Sequence, residues 1–238
     1  MTPLRPRVAV FDLDGTLADT AADLIAAANA TFAAEGLGAP LSLETDRVTA
    51  FAGGRAMLKA GFLHLGQDDP DMELVQRLYP RLLDFYRDAI RVHTRLYDGA
   101  ETALDRLAGA GWRLAVCTNK PHDLAELLLR LLGIHDRFAA ILGADSLAFR
   151  KPDPRHLTVT VERAGGVPAR AVLVGDTITD RDAAAAAGIP CVLVGFGPEG
   201  DAVGALTPAA VLAHYDDLPP LLERLVPGAP SGSCRPPT

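Results

Sequence analysis

The sequence predicts an α/β fold: a parallel-sheet core with a helical subdomain inserted near its start. Three observations carry this. Four short apolar runs, VAVF (residues 8–11), RLAVCT (113–118), AVLVGD (171–176) and CVLVGF (191–196), lack polar alternation and read as strands buried on both faces. Helical patterns separate the later runs, as in the strand–helix–strand units that build parallel sheets. One long interval, residues 17–95, holds no good strand.

The elements follow in order. The first run leads straight into Asp12 and Asp14. The interval after it is helical in pattern over 21–35, 44–50, 55–62 and 72–91. A crossover between parallel strands needs only about a dozen residues, so the economical reading is an insertion with joints near 18–20 and 97–99. That divides the chain into an α/β core (1–17 and 96–226) and a helical cap (18–95). Helices over 101–110 and 123–132 then stop at Gly111 and Gly133, as helices commonly stop at glycine. FAAILG (138–143) is a fifth, weaker strand, and helices over 156–164 and 180–187 end at Gly165 and Gly188. The last stretch, 227–238, is rich in Pro, Gly and Ser and reads as a disordered tail carrying an inert Cys234.

Composition bounds the function. The chain has 238 residues, 49% apolar and 22% charged, which is ordinary for a folded protein with a sizeable core. A net charge of −7 argues against nucleic-acid or membrane-surface partners, which reward clustered Lys and Arg. It leaves room for a small phosphorylated substrate in a local cationic pocket. Cys117, Cys191 and Cys234 show neither zinc spacing nor a disulfide framework, so a reducing cytoplasm is expected. The opening apolar run is too short for a secretory signal, and no apolar run reaches the roughly 18 residues of a membrane span. The six histidines show no metal spacing, and the acidic residues Asp68, Asp69, Asp71 and Glu73 read as a solvated helix start. Monomer and homodimer are equally compatible with the sequence.

Ligands of open α/β sheets bind beyond the carboxyl ends of the strands. There the chain places Asp12 and Asp14, then Thr118, Asn119 and Lys120, then Gly175, Asp176, Thr177 and Asp180, with Lys151 in the loop RKPDP. Asp12 and Asp176 are hard oxygen ligands, and two carboxylates with carbonyls and waters suit Mg²⁺. Without a cation, carboxylates at one buried edge repel. With Mg²⁺ and Lys151 the pocket becomes an anion site, where the Thr118 hydroxyl and backbone N–H groups, including that of Asn119, cradle phosphate. An aspartate nucleophile divides phosphoryl transfer into two easier steps, and a second carboxyl protonates the leaving alcohol and later activates water. Asp12 and Asp14, two apart, can face the same site.

DLDGT, TNK, RKPDP and GDTITD, in this order, resemble the motifs of the haloacid-dehalogenase superfamily, in its phosphatase branch with a helical cap. The resemblance runs from Val8 to about Leu225. FDLDGTLADTAADLIAAANATFAAEGL, GWRLAVCTNKP and GADSLAFRKPDP are similar in closer detail to bacterial phosphoglycolate phosphatases. The resemblance implies a Rossmann-like core, Mg²⁺-dependent hydrolysis of a phosphomonoester through an aspartyl-phosphate, and 2-phosphoglycolate as the substrate. It implies that Asp12 is the nucleophile and Asp14 the general acid/base. Mg²⁺ would be held by the Asp12 side chain, the Asp14 carbonyl and Asp176. Thr118 and Lys151 would hold the phosphoryl group, and Asp180 would support Lys151 or the waters of the metal. Related phosphatases carry a Gly-rich cap loop facing the site, matched here by Gly53 and Gly54. The next cations, Arg55 and Lys59, are four apart and share a helical face. One of them could meet a substrate carboxylate; the other reading is a solvated basic face. The rival functions are a phosphatase for another sugar phosphate or for pyrophosphate, a phosphomutase, and a non-catalytic binding protein.

Overall fold

The computed structural model describes residues 5–228. Most of the expected tail, residues 229–238 with Cys234, lies outside them. In chain order, β1 (Arg7–Phe11) and β2 (Ala18–Asp19) precede four helices, α1 (Ala21–Ala34), α2 (Leu43–Phe51), α3 (Gly54–His64) and α4 (Met72–Asp88). Then come β3 (Arg95–Leu96), α5 (Ala100–Gly109), β4 (Trp112–Cys117), α6 (His122–Leu131), β5 (Ala140–Leu142), α7 (Pro154–Arg163), β6 (Ala171–Gly175) and α8 (Ile178–Ala187). β7 (Cys191–Val194), β8 (Ala210–Leu212) and α9 (Leu218–Leu225) close the fold.

Six strands form one parallel sheet in the order β5-β4-β1-β6-β7-β8, the expected α/β core. The apolar runs lack alternation because both faces are covered. Ala9 and Phe11 of β1 join Leu114, Val116, Val172 and Val174 in the core that also contains α5, α6 and α9. Val8 and Val10 join Leu173 and Leu193 in a second core under α7 and α8. The period of two along a strand therefore survives, but both phases are apolar.

Several boundaries differ from the sequence reading. The weak FAAILG strand narrows to Ala140–Leu142. Helices α7 and α8 start two residues earlier than their patterns suggest, because their N-termini are capped by side chains. Asp153 accepts the Arg155 N–H, and Thr177 with Asp180 forms a capping box. β8 and α9 were not foreseen. β8 is a three-residue edge strand, and α9 opens LPPLLERL, where two prolines look like a break but are tolerated in a first turn.

Between β1 and α5 the chain forms helices α1–α4 and one short strand pair, β2 antiparallel to β3. Gly61 lets α3 approach α1 closely: a Cβ there would lie 2.3 Å from the Phe32 ring. Phe32 and Phe62 then meet edge to face at 5.1 Å. The chain entering these helices and the chain leaving them are tied twice. Ala18 pairs with Leu96 and Asp19 with Arg95. One turn on, the buried Asp23 carboxylate accepts the N–H groups of Val92 (3.0 Å), His93 (3.0 Å) and Thr94 (2.8 Å) and the Thr94 hydroxyl (2.7 Å). Among the described residues no helix is long and apolar enough to cross a membrane.

Candidate active site

The three central strands of the sheet, β4, β1 and β6, end side by side. Their ends deliver Thr118, Asp12 and Asp176, so residues 58 to 164 positions apart meet because the strands are neighbours. Asp12 continues the register of β1, its N–H bonded to the Val174 carbonyl at 2.9 Å.

Lys151 occupies the centre. It is 2% exposed, and its Nζ lies 3.1 Å from Asp12 Oδ2 and 2.6 Å from Asp180 Oδ1. Burial would lower its ammonium, but Asp12 and Asp180 outweigh burial and raise it above its ordinary value. The other Asp180 oxygen accepts the Thr177 hydroxyl at 2.8 Å, so one carboxylate both caps α8 and fixes the lysine. Asp176 is fully buried. Its Oδ1 accepts the Thr16 hydroxyl at 2.8 Å, while its Oδ2 has no hydrogen-bond partner among the described residues. Gly15 makes room for it: φ is +78°, and a Cβ would sit 2.3 Å from that same Oδ2.

The charges do not balance. Asp12, Asp176 and Asp180 each offer a carboxylate oxygen within 4.8 Å of the others. Among the described residues, Lys151 is the cation paired with them, through Asp12 and Asp180. Burial pushes the Asp12 carboxyl from its ordinary 3.8 to about 6, with Asp180 adding to the rise and Lys151 opposing it. Burial pushes Asp176 well above the ordinary carboxylate range, and Asp12 and Asp180 push it further. An orphaned buried carboxylate oxygen beside an excess of negative charge fits a hard divalent cation, with Asp12 and Asp176 as its side-chain ligands. Asp180 has both oxygens committed and fits a supporting role.

Asp14 points elsewhere. Its oxygens lie 2.8 and 3.0 Å from Lys120 Nζ, which also donates to the Tyr86 hydroxyl at 2.9 Å. Sequence reasoning missed this lysine as a site residue, although it stands in TNK. It also missed Tyr86, which comes from α4 and carries no local signal. Thr118 is 1% exposed, and Asn119, whose side chain faces outward, donates its amide to the Lys151 carbonyl at 3.0 Å. That bond ties the TNK loop to the RKPDP loop.

A cavity of about 480 Å³ opens above. Asp12, Asp14, Thr118 and Lys151 line its sheet end, and Phe51, Gly53, Arg55 and Tyr79 line its helical end. Asp176 and Asp180 stand behind the lining. Gly53 adopts φ +99° at the start of α3. The Arg55 guanidinium stacks 3.7 Å above the Tyr79 ring and donates to Gln76 at 2.9 Å. Lys59 is exposed and does not line the cavity, so of these two cations Arg55 is the one at its wall.

The model of the haloacid dehalogenase-like hydrolase family matches residues 9–194. The phosphoglycolate phosphatase of Mesorhizobium japonicum is 45% identical over 224 residues, spanning 93% of this chain and 97% of that protein. That of Agrobacterium fabrum is 43% identical over 225 residues, spanning 94% and 95%. A solved structure described as a predicted phosphoglycolate phosphatase from Haemophilus somnus 129PT has a TM-score of 0.79 at 24% identity, over 91% of this chain and 97% of that one, a likeness of fold.

Proposed function

We propose that this chain, which belongs to the haloacid dehalogenase-like hydrolase family, hydrolyses 2-phosphoglycolate to glycolate and inorganic phosphate through an aspartyl-phosphate. The observation that carries the reading is Asp12 at the sheet end of the cavity, 3.1 Å from the Lys151 ammonium. The substrate rests on the names of the curated relatives.

An Asp12 oxygen attacks phosphorus as the bond to the glycolate oxygen breaks, and Asp14 gives its proton to that oxygen. Asp14 then takes a proton from water, which attacks the same phosphorus; the bond to Asp12 breaks and phosphate leaves. Lys151 and the Thr118 hydroxyl hold the non-bridging phosphoryl oxygens, and backbone N–H groups including that of Asn119 assist. Asp180 keeps Lys151 in place at 2.6 Å. Mg²⁺, held by Asp12, Asp176 and the Asp14 carbonyl, would supply positive charge against the charge that develops on the phosphoryl oxygens.

Helices α1–α4, within residues 18–95, act as a cap over the core formed by 1–17 and 96–226, and shut water from the first transfer. Gly53 and Arg55 bring that cap to the substrate, with the Arg55 guanidinium meeting its carboxylate. Buried, unpaired Cys117 and Cys191 fit a reducing cytoplasm. The test is phosphate release from a panel of small phosphate esters with and without Mg²⁺. Selective, Mg²⁺-dependent release from 2-phosphoglycolate is expected. Preference for a sugar phosphate or pyrophosphate would overturn the substrate, and transfer to a sugar with little free phosphate would make the enzyme a mutase.

A further inference from the structure

Among the described residues, the side chain hydrogen-bonded to Asp14 is that of Lys120. Lys120 is 6% exposed, its Nζ sits between both Asp14 oxygens and the Tyr86 hydroxyl, and the same ammonium lies 4.4 Å from the centre of the Tyr86 ring. Tyr86 is 1% exposed and belongs to the last turn of α4, whereas Lys120 follows β4 and Asp14 follows β1. Three separate elements thus converge on one buried ammonium. None of the proposed steps uses Lys120 or Tyr86, yet a buried lysine left without partners would be costly. Both of its described partners lead somewhere: one to the acid/base carboxylate, the other to the helical segment.

We infer that Lys120 is a positioning residue that aims the Asp14 carboxylate at the leaving-group oxygen, and that the Tyr86 hydroxyl couples this aim to the seating of α4. The inference rests on the proposed acid/base role of Asp14. Two contacts from one ammonium fix the plane of a carboxylate that a single contact would let rotate. When Asp14 loses its O–H proton to the departing alkoxide, the electron pair stays on the carboxylate and the Lys120 ammonium faces that charge. The same contact leaves Asp14 ready to take a proton from water in the second step. If α4 lifts away, Lys120 loses its hydroxyl partner and the aim loosens, so acid catalysis is available only when the helices are seated. A second bridge from α4, Arg87 to Asp123 of α6, lies on the surface and touches neither Asp14 nor Lys120.

The test compares kcat/KM, which reports the first transfer, for 2-phosphoglycolate and for p-nitrophenyl phosphate. The alkoxide needs a proton to leave; the nitrophenolate does not. General acid catalysis is worth about 10²–10⁴-fold, so Lys120→Met should lower kcat/KM for 2-phosphoglycolate at least about 10-fold more than for the aryl ester. Lys120→Arg should recover part of that difference. Tyr86→Phe keeps the ring and should show a smaller split in the same direction, nearly absent when Lys120 is already Met. It carries the test if Lys120→Met does not fold. Arg87→Ala should leave the ratio of the two substrates unchanged. Equal losses on both substrates in Lys120→Met, or a Tyr86→Phe ratio equal to that of the unaltered protein, would overturn the inference. Asp14→Asn tests the reading beneath it: no split there removes the acid/base role itself, whereas a split there without one in Lys120→Met removes only the positioning role.

Discussion

At the sheet end of the cavity Lys151 and Asp180 are 2% and 0% exposed and meet at 2.6 Å. At the helical end Arg55 is half-buried, resting on Tyr79 and bonded to the exposed Gln76 rather than to a counter-ion. The two ends solve different problems. The sheet end must hold like charges together, and does so by burial, by a shared ammonium and by strand ends that cannot move independently. The helical end holds a cation in reserve, with its guanidinium stacked but its charge uncompensated by any described carboxylate. Under the proposed function, rigidity at one end would serve the reaction and a lightly held cation at the other the choice of substrate.

The sheet end breaks hardest. Asp12→Asn should lower kcat by about 10⁴-fold or more, read as Mg²⁺-dependent phosphate release. Substantial remaining turnover would remove Asp12 as nucleophile. Gly15→Ala places a Cβ 2.3 Å from Asp176 Oδ2 at φ +78°. It should cost about 1–3 kcal/mol of stability and raise the Mg²⁺ concentration needed for half-maximal rate; an unchanged melting temperature would show that the Asp176 pocket is more yielding than its geometry implies. Arg55→Ala probes the other end. It should raise KM for 2-phosphoglycolate about 10-fold, the scale of one hydrogen bond to a charged group, and raise KM far less for an ester without a carboxylate. Equal effects on both would detach Arg55 from recognition.

The smallest effect concerns charge balance. Asp12 is raised from 3.8 to about 6 in the folded protein by burial. Its contribution to stability is therefore complete below about pH 4 and is lost as pH rises through 6. Without Mg²⁺ the melting temperature should fall by a few degrees between pH 5 and pH 8, and Mg²⁺ should restore more of it at pH 8, where Asp12 is ionised. A Mg²⁺ effect equal at both pH values would break the link between the acidic cluster and the cation.

The same contrast decides what could be read in the sequence. Strand ends are local: an apolar run that stops in DLDGT or GDTITD names its own chemistry, so Asp12, Asp14, Asp176 and Asp180 are legible residue by residue. Lys151 is legible through its prolines. Lys120 was visible in TNK but had no assigned work, because its partner Tyr86 lies 34 residues away on a helix whose pattern reports only an apolar face. Between Arg55 and Lys59 helical spacing cannot choose; the cavity does. β8 and α9 were hidden for local reasons, by brevity in one and by Pro219 and Pro220 in the other.

The double tie between the two chain crossings carries a mechanical consequence. β2 with β3, and Asp23 with Val92–Thr94, make the outgoing and returning strands one narrow plate. Any swing of α1–α4 relative to the sheet must bend both crossings together. If α1–α4 act as the proposed cap, the joint would behave as a hinge about one axis, and motions that shear the two crossings past each other would be opposed by both ties. Tyr86 would return to Lys120 along one arc, so each closure would find the same register.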